Sequence, residues 1–260
     1  MQIRKKRKSE GDERRSSGWT EELSIKNCDA PNILIMEKKI AFALVYILLF
    51  PALLLFLSGD YAWPEGWIFS LWLLLLCYSV ILYLYRKDPA LLEERYRSPG
   101  TGNEEAWDRF IVYGLFIGFM IWIIIMPLDA KWFSWSPAFP LYLKALGGVG
   151  LIVAFVLFFR SYADNPYLSP LVRVQKEREH QVVSTGVYRF VRHPMYLGAI
   201  IMFFSAPLLL GSIGGVIVAC AMMILLMARI LGEEAFLARE LDGYPEYMAK
   251  VPYRLLPFVW

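Results

Sequence analysis

Residues 196–230 read YLGAIIMFFSAPLLLGSIGGVIVACAMMILLMARI, with no charged side chain before Arg229. A helix that crosses a membrane takes about 20 apolar residues, so this run is too long for one and slightly short for two. Gly211-Ser212 and Gly214-Gly215 interrupt it near the middle, where a tight turn is expected. We read a helical hairpin, either two complete crossings or a re-entrant pair that stops before the far surface. Either form returns Arg229 to the side of the membrane on which Tyr196 starts.

The rest of the chain repeats the pattern. Four further apolar blocks span Ile40 to Leu57, Gly66 to Tyr85, Phe110 to Leu128 and Leu141 to Phe159. Of the 260 residues, 57% are hydrophobic and 20% charged, and mean hydropathy is +0.44. A soluble domain is nearer 45–50% apolar and roughly a quarter charged. That excludes a disordered chain, a collagen and a solvated repeat array. The fold class expected is an all-α integral membrane protein of about six transmembrane helices.

Lysine and arginine placement orients the helices. Ten precede the first block, from Arg4 to Lys39; none lies in 58–65 and only Lys131 in 129–140. Five lie in 86–109, six in 160–195 and four from Arg229 onward. The alternation places both termini in the cytoplasm, in a cell inner membrane or its equivalent. Trp63, Trp67, Trp132 and Trp135 flank the outer ends. Three regions are expected: a basic, disordered tail over 1–38, a four-helix membrane region over 39–159, and a catalytic region over 160–260. The tail has no apolar stretch near its start, so it does not read as a cleaved signal peptide.

Three cysteines exclude a disulfide scaffold, and with only two histidines no zinc site is expected. The net charge of +3 is the remainder of 27 basic and 24 acidic side chains and marks no nucleic-acid surface. Gly114-x-x-x-Gly118, Gly147-Gly148-Val149-Gly150 and Gly211-x-x-x-Gly215 read as close helix packing and not as a nucleotide loop.

Ionisable chemistry is confined to three polar regions. In the first, Asp88-Pro89-Ala90-Leu91-Leu92-Glu93-Glu94-Arg95 starts a short surface helix, with Pro89 at its first position. In the second, both histidines of the chain lie between Gln175 and Tyr196. His193 precedes a proline and is pushed away from helical geometry, so Pro194 can open the hairpin's first helix. In the third, Arg229 and Glu233 share a helix face at i,i+4, as a local ion pair or as part of a site. The aromatic and proline-rich tail, Gly243-Tyr244 to Pro257, is placed to fold back over this mouth.

Together these residues resemble the isoprenylcysteine carboxyl methyltransferase family and its phospholipid methyltransferase relatives, over about 160–260. The motifs are His180-x-x-Val183, Thr185-Gly186-x-Tyr188, Arg192-His193-Pro194-x-Tyr196-x-Gly198, Arg229-x-x-x-Glu233-Glu234, Gly243-Tyr244-x-x-Tyr247, and Val251-Pro252 to Leu256-Pro257. Asp88-Pro89-x-Leu91-Leu92-x-Glu94-Arg95 resembles bacterial members. The resemblance implies transfer of a methyl group from S-adenosyl-L-methionine to a lipophilic or small acceptor. It implies cofactor contacts from Gln175, His180, Gln181, Val182, Val183, Tyr188, His193, Pro194, Met195, Tyr196 and Glu233. Arg229 would hold the acceptor, with Arg192 and Glu234 as further catalytic candidates. A carboxylate acceptor needs no base, whereas an amine or thiol would need His193, Glu234 or a tyrosine to take a proton. The alternatives are a phospholipid N-methyltransferase or thiol S-methyltransferase of the same family, or a membrane sterol-type reductase using NADPH.

Overall fold

The computed structural model describes residues 38–96 and 105–260. The expected basic tail, Lys38 apart, lies outside the described residues, as does Cys28. Residues 46–260 form one compact unit. All regular structure among the described residues is helical. In chain order the helices are α1 (Lys38–Ser58), α2 (Pro64–Lys87), α3 (Pro89–Arg95), α4 (Ala106–Pro127), α5 (Leu141–Asp164), α6 (Pro194–Leu210), α7 (Ile213–Glu240) and α8 (Tyr244–Lys250). A single π turn, Leu128–Trp132, extends α4.

Five of these, α1, α2, α4 with its π turn, α5 and α7, are long and apolar enough to cross a membrane. The sixth expected crossing is α6, with only 17 residues. At 1.5 Å per residue that is about 25 Å, short of a hydrocarbon core about 30 Å thick. Its partner α7 has 28 residues, or about 42 Å. The turn falls where expected. Gly211 takes a left-handed conformation, φ 81°, and the Ser212 side chain accepts the Gly215 N–H at 2.9 Å to cap α7. The asymmetry arises because charge, starting at Arg229, ends the lipid-compatible surface without ending the helix. No proline interrupts α7, and the helix runs on past Gly232 to Glu240.

The bundle packs around Trp122, which is fully buried. Its ring meets Phe69 and Phe203 edge-on, at 6.0 and 5.5 Å, and its Nε1 donates to the Phe203 carbonyl at 3.2 Å. The glycine spacings serve packing. Gly118 faces Met222, and Gly215 faces Met126 and Pro207. At Gly147 a Cβ would stand 2.5 Å from both the Leu209 nitrogen and the Ser205 carbonyl oxygen, so α5 and α6 meet backbone to backbone. Its neighbour Gly148 has nothing within 4 Å. Gly147→Ala is therefore expected to cost about 1–3 kcal/mol by forcing the two helices apart. Gly148→Ala should be neutral or slightly stabilising. Thermal unfolding of the two variants in detergent checks this, and equal midpoints would remove the close approach as a source of stability.

Candidate functional site

Asp88 and His193 each precede a proline that starts a helix, α3 and α6. At α6 the backbone just before the helix is held by the tail. The Arg192 and His193 N–H groups donate to the Tyr253 and Arg254 carbonyls at 3.0 and 2.9 Å. The expected fold-back of the tail is thus a short run of main-chain hydrogen bonds. One buried carboxylate, Glu234, ties it together. Its Oε1 accepts from Arg192 Nε at 2.6 Å and pairs with His193 Nε2 at 3.1 Å. Its Oε2 accepts from Arg254 Nε at 2.7 Å. Arg192 Nη1 also reaches the Val251 carbonyl at 2.7 Å. Three cationic or hydrogen-bonding partners on one carboxylate make Glu234 the joint between α6, α7 and the tail.

Beside this joint opens a cleft with about 770 Å³ of empty space, its open mouth included. One wall is the irregular segment 165–173. The others are 180–183, Tyr188, the first turn of α6, the Glu233–Leu237–Leu241 face of α7, and Tyr244 and Tyr247 of α8. Of the residues expected at the cofactor, His180, Gln181, Val182, Val183, Tyr188, His193, Pro194, Met195, Tyr196 and Glu233 line it, and so does Arg192. Glu233 points its Oε2 at the Tyr196 hydroxyl, which donates at 2.6 Å.

Three expected site residues do not line the cleft. Gln175 is fully buried behind the wall, where its Nε2 donates to the Tyr167 carbonyl at 2.7 Å and its Oε1 accepts from Arg178 Nη1 at 3.1 Å. Glu234 lies beneath, in the joint just described. Arg229 does not pair with Glu233. Its Nε and Nη2 donate to Asp108 of α4 at 2.8 and 3.1 Å, and Nη2 also reaches the Pro170 carbonyl at 2.6 Å. Asp108 is completely buried and additionally accepts the Val172 N–H at 2.8 Å. The guanidinium lies 5.7 Å from the Tyr196 ring centre.

Sequence reasoning did not single out Asp108, Tyr167, Arg173, Leu237 or Leu241. The last two were readable, since Glu233, Leu237 and Leu241 follow one another at i+4 on one helix face. The others sit in irregular backbone or pair across long stretches of chain.

The cleft's ionisable groups are mostly compensated. Arg173 and Arg192 are engaged by Glu94 and Glu234. His180 stacks on Tyr167 at 4.4 Å, and its Nδ1 accepts the Gln175 N–H at 3.4 Å. Burial first, then the positive charges of Arg173 and Arg178, push its pKa down to about 4. Burial raises the phenol pKa values of Tyr188, Tyr244 and Tyr247, which stay neutral. The Tyr247 hydroxyl donates to the Tyr188 carbonyl at 2.7 Å.

The depressed His180 value has a pH signature. Below about pH 6.5 the unfolded chain binds a proton at this histidine that the folded protein refuses until about pH 4. His180 should therefore reduce stability progressively as pH falls through that window and have no effect above it. Imidazole resonances followed by NMR should show one ring neutral down to pH 5. A midpoint near 6.5 for His180 would mean that the wall is open to water.

An all-helical membrane protein with a polar cleft where an apolar hairpin begins and ends is the class that fold and site define. Residues 143–242 match the phospholipid methyltransferase family model, and most of the residues that line the cleft lie within that segment. The chain is 33% identical over 86 residues to a protein-S-isoprenylcysteine O-methyltransferase of Schizosaccharomyces pombe, covering 32% of this chain and 36% of that protein. It is 29% identical over 140 residues to protein-S-isoprenylcysteine O-methyltransferase B of Arabidopsis thaliana, covering 53% of this chain and 66% of that protein. The matches thus span less than two-thirds of either relative. A solved structure of the eukaryotic intramembrane Ras methyltransferase, isoprenylcysteine carboxyl methyltransferase, is similar at 22% identity with a TM-score of 0.49, over 82% of this chain and 74% of that one.

Proposed function

We propose that the protein is an integral membrane methyltransferase that uses S-adenosyl-L-methionine and acts on a lipophilic or small acceptor at the cytoplasmic face. The observation that carries this reading is Glu233, the one carboxylate among the described residues that line the cleft, within the family-matched segment. The residues present fit the cofactor. Its cationic end calls for a carboxylate, which Glu233 offers. Its adenine calls for apolar and aromatic walls, which Val182, Leu237 and Tyr244 offer.

The bound cofactor supplies an electrophilic methyl group on a sulfonium. What remains for the protein is to hold donor and acceptor in line and to exclude water. Tyr196 fixes the Glu233 carboxylate by its hydrogen bond. Pro194 and Met195 form an apolar floor at the start of α6. His193 is oriented by Glu234 and is the group in reach of the cleft that can take a proton from an amine or thiol acceptor. With its Nε and Nη2 committed to Asp108 and Pro170, Arg229 acts here on the cleft wall. The acceptor, if lipophilic, enters laterally between helices, and the water-soluble cofactor enters from the cytoplasm.

Calorimetric titration of the purified protein with S-adenosylmethionine and with NADPH tests the reading. Labelled methyl donor and membrane lipid extract would then identify the product. Saturable S-adenosylmethionine binding with label transfer is expected. NADPH binding without S-adenosylmethionine binding would replace the reading with a reductase.

A further inference from the structure

The cleft wall 165–173 has no helix or strand to hold it, yet it carries Tyr167, Ser169, Leu171 and Val172 to the site. Asp108 and Arg229 pin it at Val172 and Pro170, and α3 holds it at Ser169 and Arg173, on either side of those points in the sequence. This seven-residue helix is seated by Leu91 and Leu92, exposed 0% and 2%. Its Glu94 is 7% exposed. Glu94 Oε1 accepts from Arg173 Nε at 2.8 Å and from Ser169 Oγ at 2.9 Å, and Oε2 accepts from Arg173 Nη2 at 2.7 Å. A bidentate carboxylate–guanidinium pair fixes orientation as well as distance. Glu94 thereby sets two points of the wall, four residues apart.

Asp88, at the start of the same helix, sets a third. Its Oδ1 caps the Leu91 N–H at 2.9 Å, and its carboxylate meets Arg178 Nη2 at 3.3 Å. Arg178 Nη1 donates to the Pro166 carbonyl at 2.7 Å and to Gln175 Oε1. Gln175 in turn holds the Tyr167 carbonyl, and Tyr167 carries the His180 ring stacked on it. Asp88 at the N-cap of α3 and Glu94 within it thus tie the helix to the segment from Pro166 to His180, alongside the Asp108 and Arg229 contacts at Val172 and Pro170.

We infer that α3, with Glu94 as its principal side chain, is a positioning element for the cofactor cleft, supplied from outside the family-matched segment. Glu94 is not among the cleft-lining residues and acts through Arg173 and Ser169. The consequence for binding rests on the methyltransferase reading; the consequence for the wall does not.

The test uses the full-length protein in detergent with Glu94→Gln, which keeps the shape but loses the charge and one acceptor. Asp88→Asn serves as a milder second variant at a half-exposed position. Hydrogen exchange is read peptide by peptide, together with the affinity for S-adenosylmethionine and the KM and kcat for labelled methyl transfer. Glu94→Gln should speed exchange over 166–173 while α6 and α7 stay protected. It should raise the KM and Kd for S-adenosylmethionine about tenfold or more, with kcat at saturating donor within about twofold. Asp88→Asn should do the same more weakly, centred on 175–180. Unchanged exchange over 166–180 in both variants overturns the inference. So does a loss of kcat at unchanged KM, the mark of a smaller active fraction. Wild-type protein that fails to bind S-adenosylmethionine would defeat the functional reading alone, and the exchange result would still decide this one.

Discussion

Glu233→Gln is expected to weaken S-adenosylmethionine binding roughly ten- to a hundredfold and to leave the fold intact. Glutamine keeps the size of the side chain and an oxygen that can still accept from the Tyr196 hydroxyl, so the local packing survives. What disappears is the negative charge. A hydrogen bond to a charged group contributes about 1.5–3 kcal/mol, which is the factor stated. The loss should fall mainly on the cofactor. Arg173 and Arg192 stay paired with Glu94 and Glu234, so no arginine of the cleft is left without a partner. Tyr196→Phe should give a smaller loss of the same kind, because the carboxylate remains but loses its orienting donor. Calorimetric titration with the cofactor, alongside a thermal melt, separates affinity from folding. An unchanged dissociation constant for Glu233→Gln would remove Glu233 from the site and with it the principal support for the function proposed above.

Local chemistry was legible in the sequence where it depends on neighbours in the chain. Asp88-Pro89 and His193-Pro194 start helices because proline is already shaped for a first turn and the residue before it is not. Gly211-Ser212 turns the hairpin because one residue can be left-handed and the next can cap. His193 and Tyr196 reach the mouth of the hairpin by the same local logic, whereas His180 to Val183 and Tyr188 are marked only by the family resemblance. The ion pairs were not legible. Spacing on α7 offers Arg229–Glu233, yet Glu233 turns to Tyr196 and Arg229 to Asp108, which lies 121 residues earlier in the chain. Glu94 and Arg173 are 79 residues apart and meet between a short helix and an irregular segment. Neither partner belongs to a periodic pattern, and a lone acid in the first turn of α4 looks like an ordinary helix start. Hairpin asymmetry escaped for another reason. Hydropathy marks where lipid contact ends, whereas a helix ends where its hydrogen bonding is interrupted, and these differ in α7 by about ten residues.

Arg229→Ala should destabilise the protein by about 3–5 kcal/mol, the cost of stripping one partner from a buried ion pair. Asp108 is fully buried and would keep only the Val172 N–H, and the Pro170 carbonyl would lose its donor. The pair differs from a surface bridge in this respect, since exposed bridges contribute about 0–1 kcal/mol. Removing both charges, in Asp108→Leu with Arg229→Met, should recover much of the loss. A core that holds no charge carries no desolvation penalty. Recovery stays incomplete because the Val172 N–H then lacks its acceptor, at about 1–3 kcal/mol for a buried donor left alone. Thermal melts of the two single variants and the double give this cycle directly. Cofactor titration of the double variant adds the functional half. Val172 and Leu171 line the cleft beside the point that Asp108 holds, so affinity should fall even where stability has been regained. If Arg229→Ala instead leaves the melt unchanged and raises only the KM for the acceptor, the guanidinium is free to serve the substrate. Its contact with Asp108 is then a resting arrangement that the acceptor displaces.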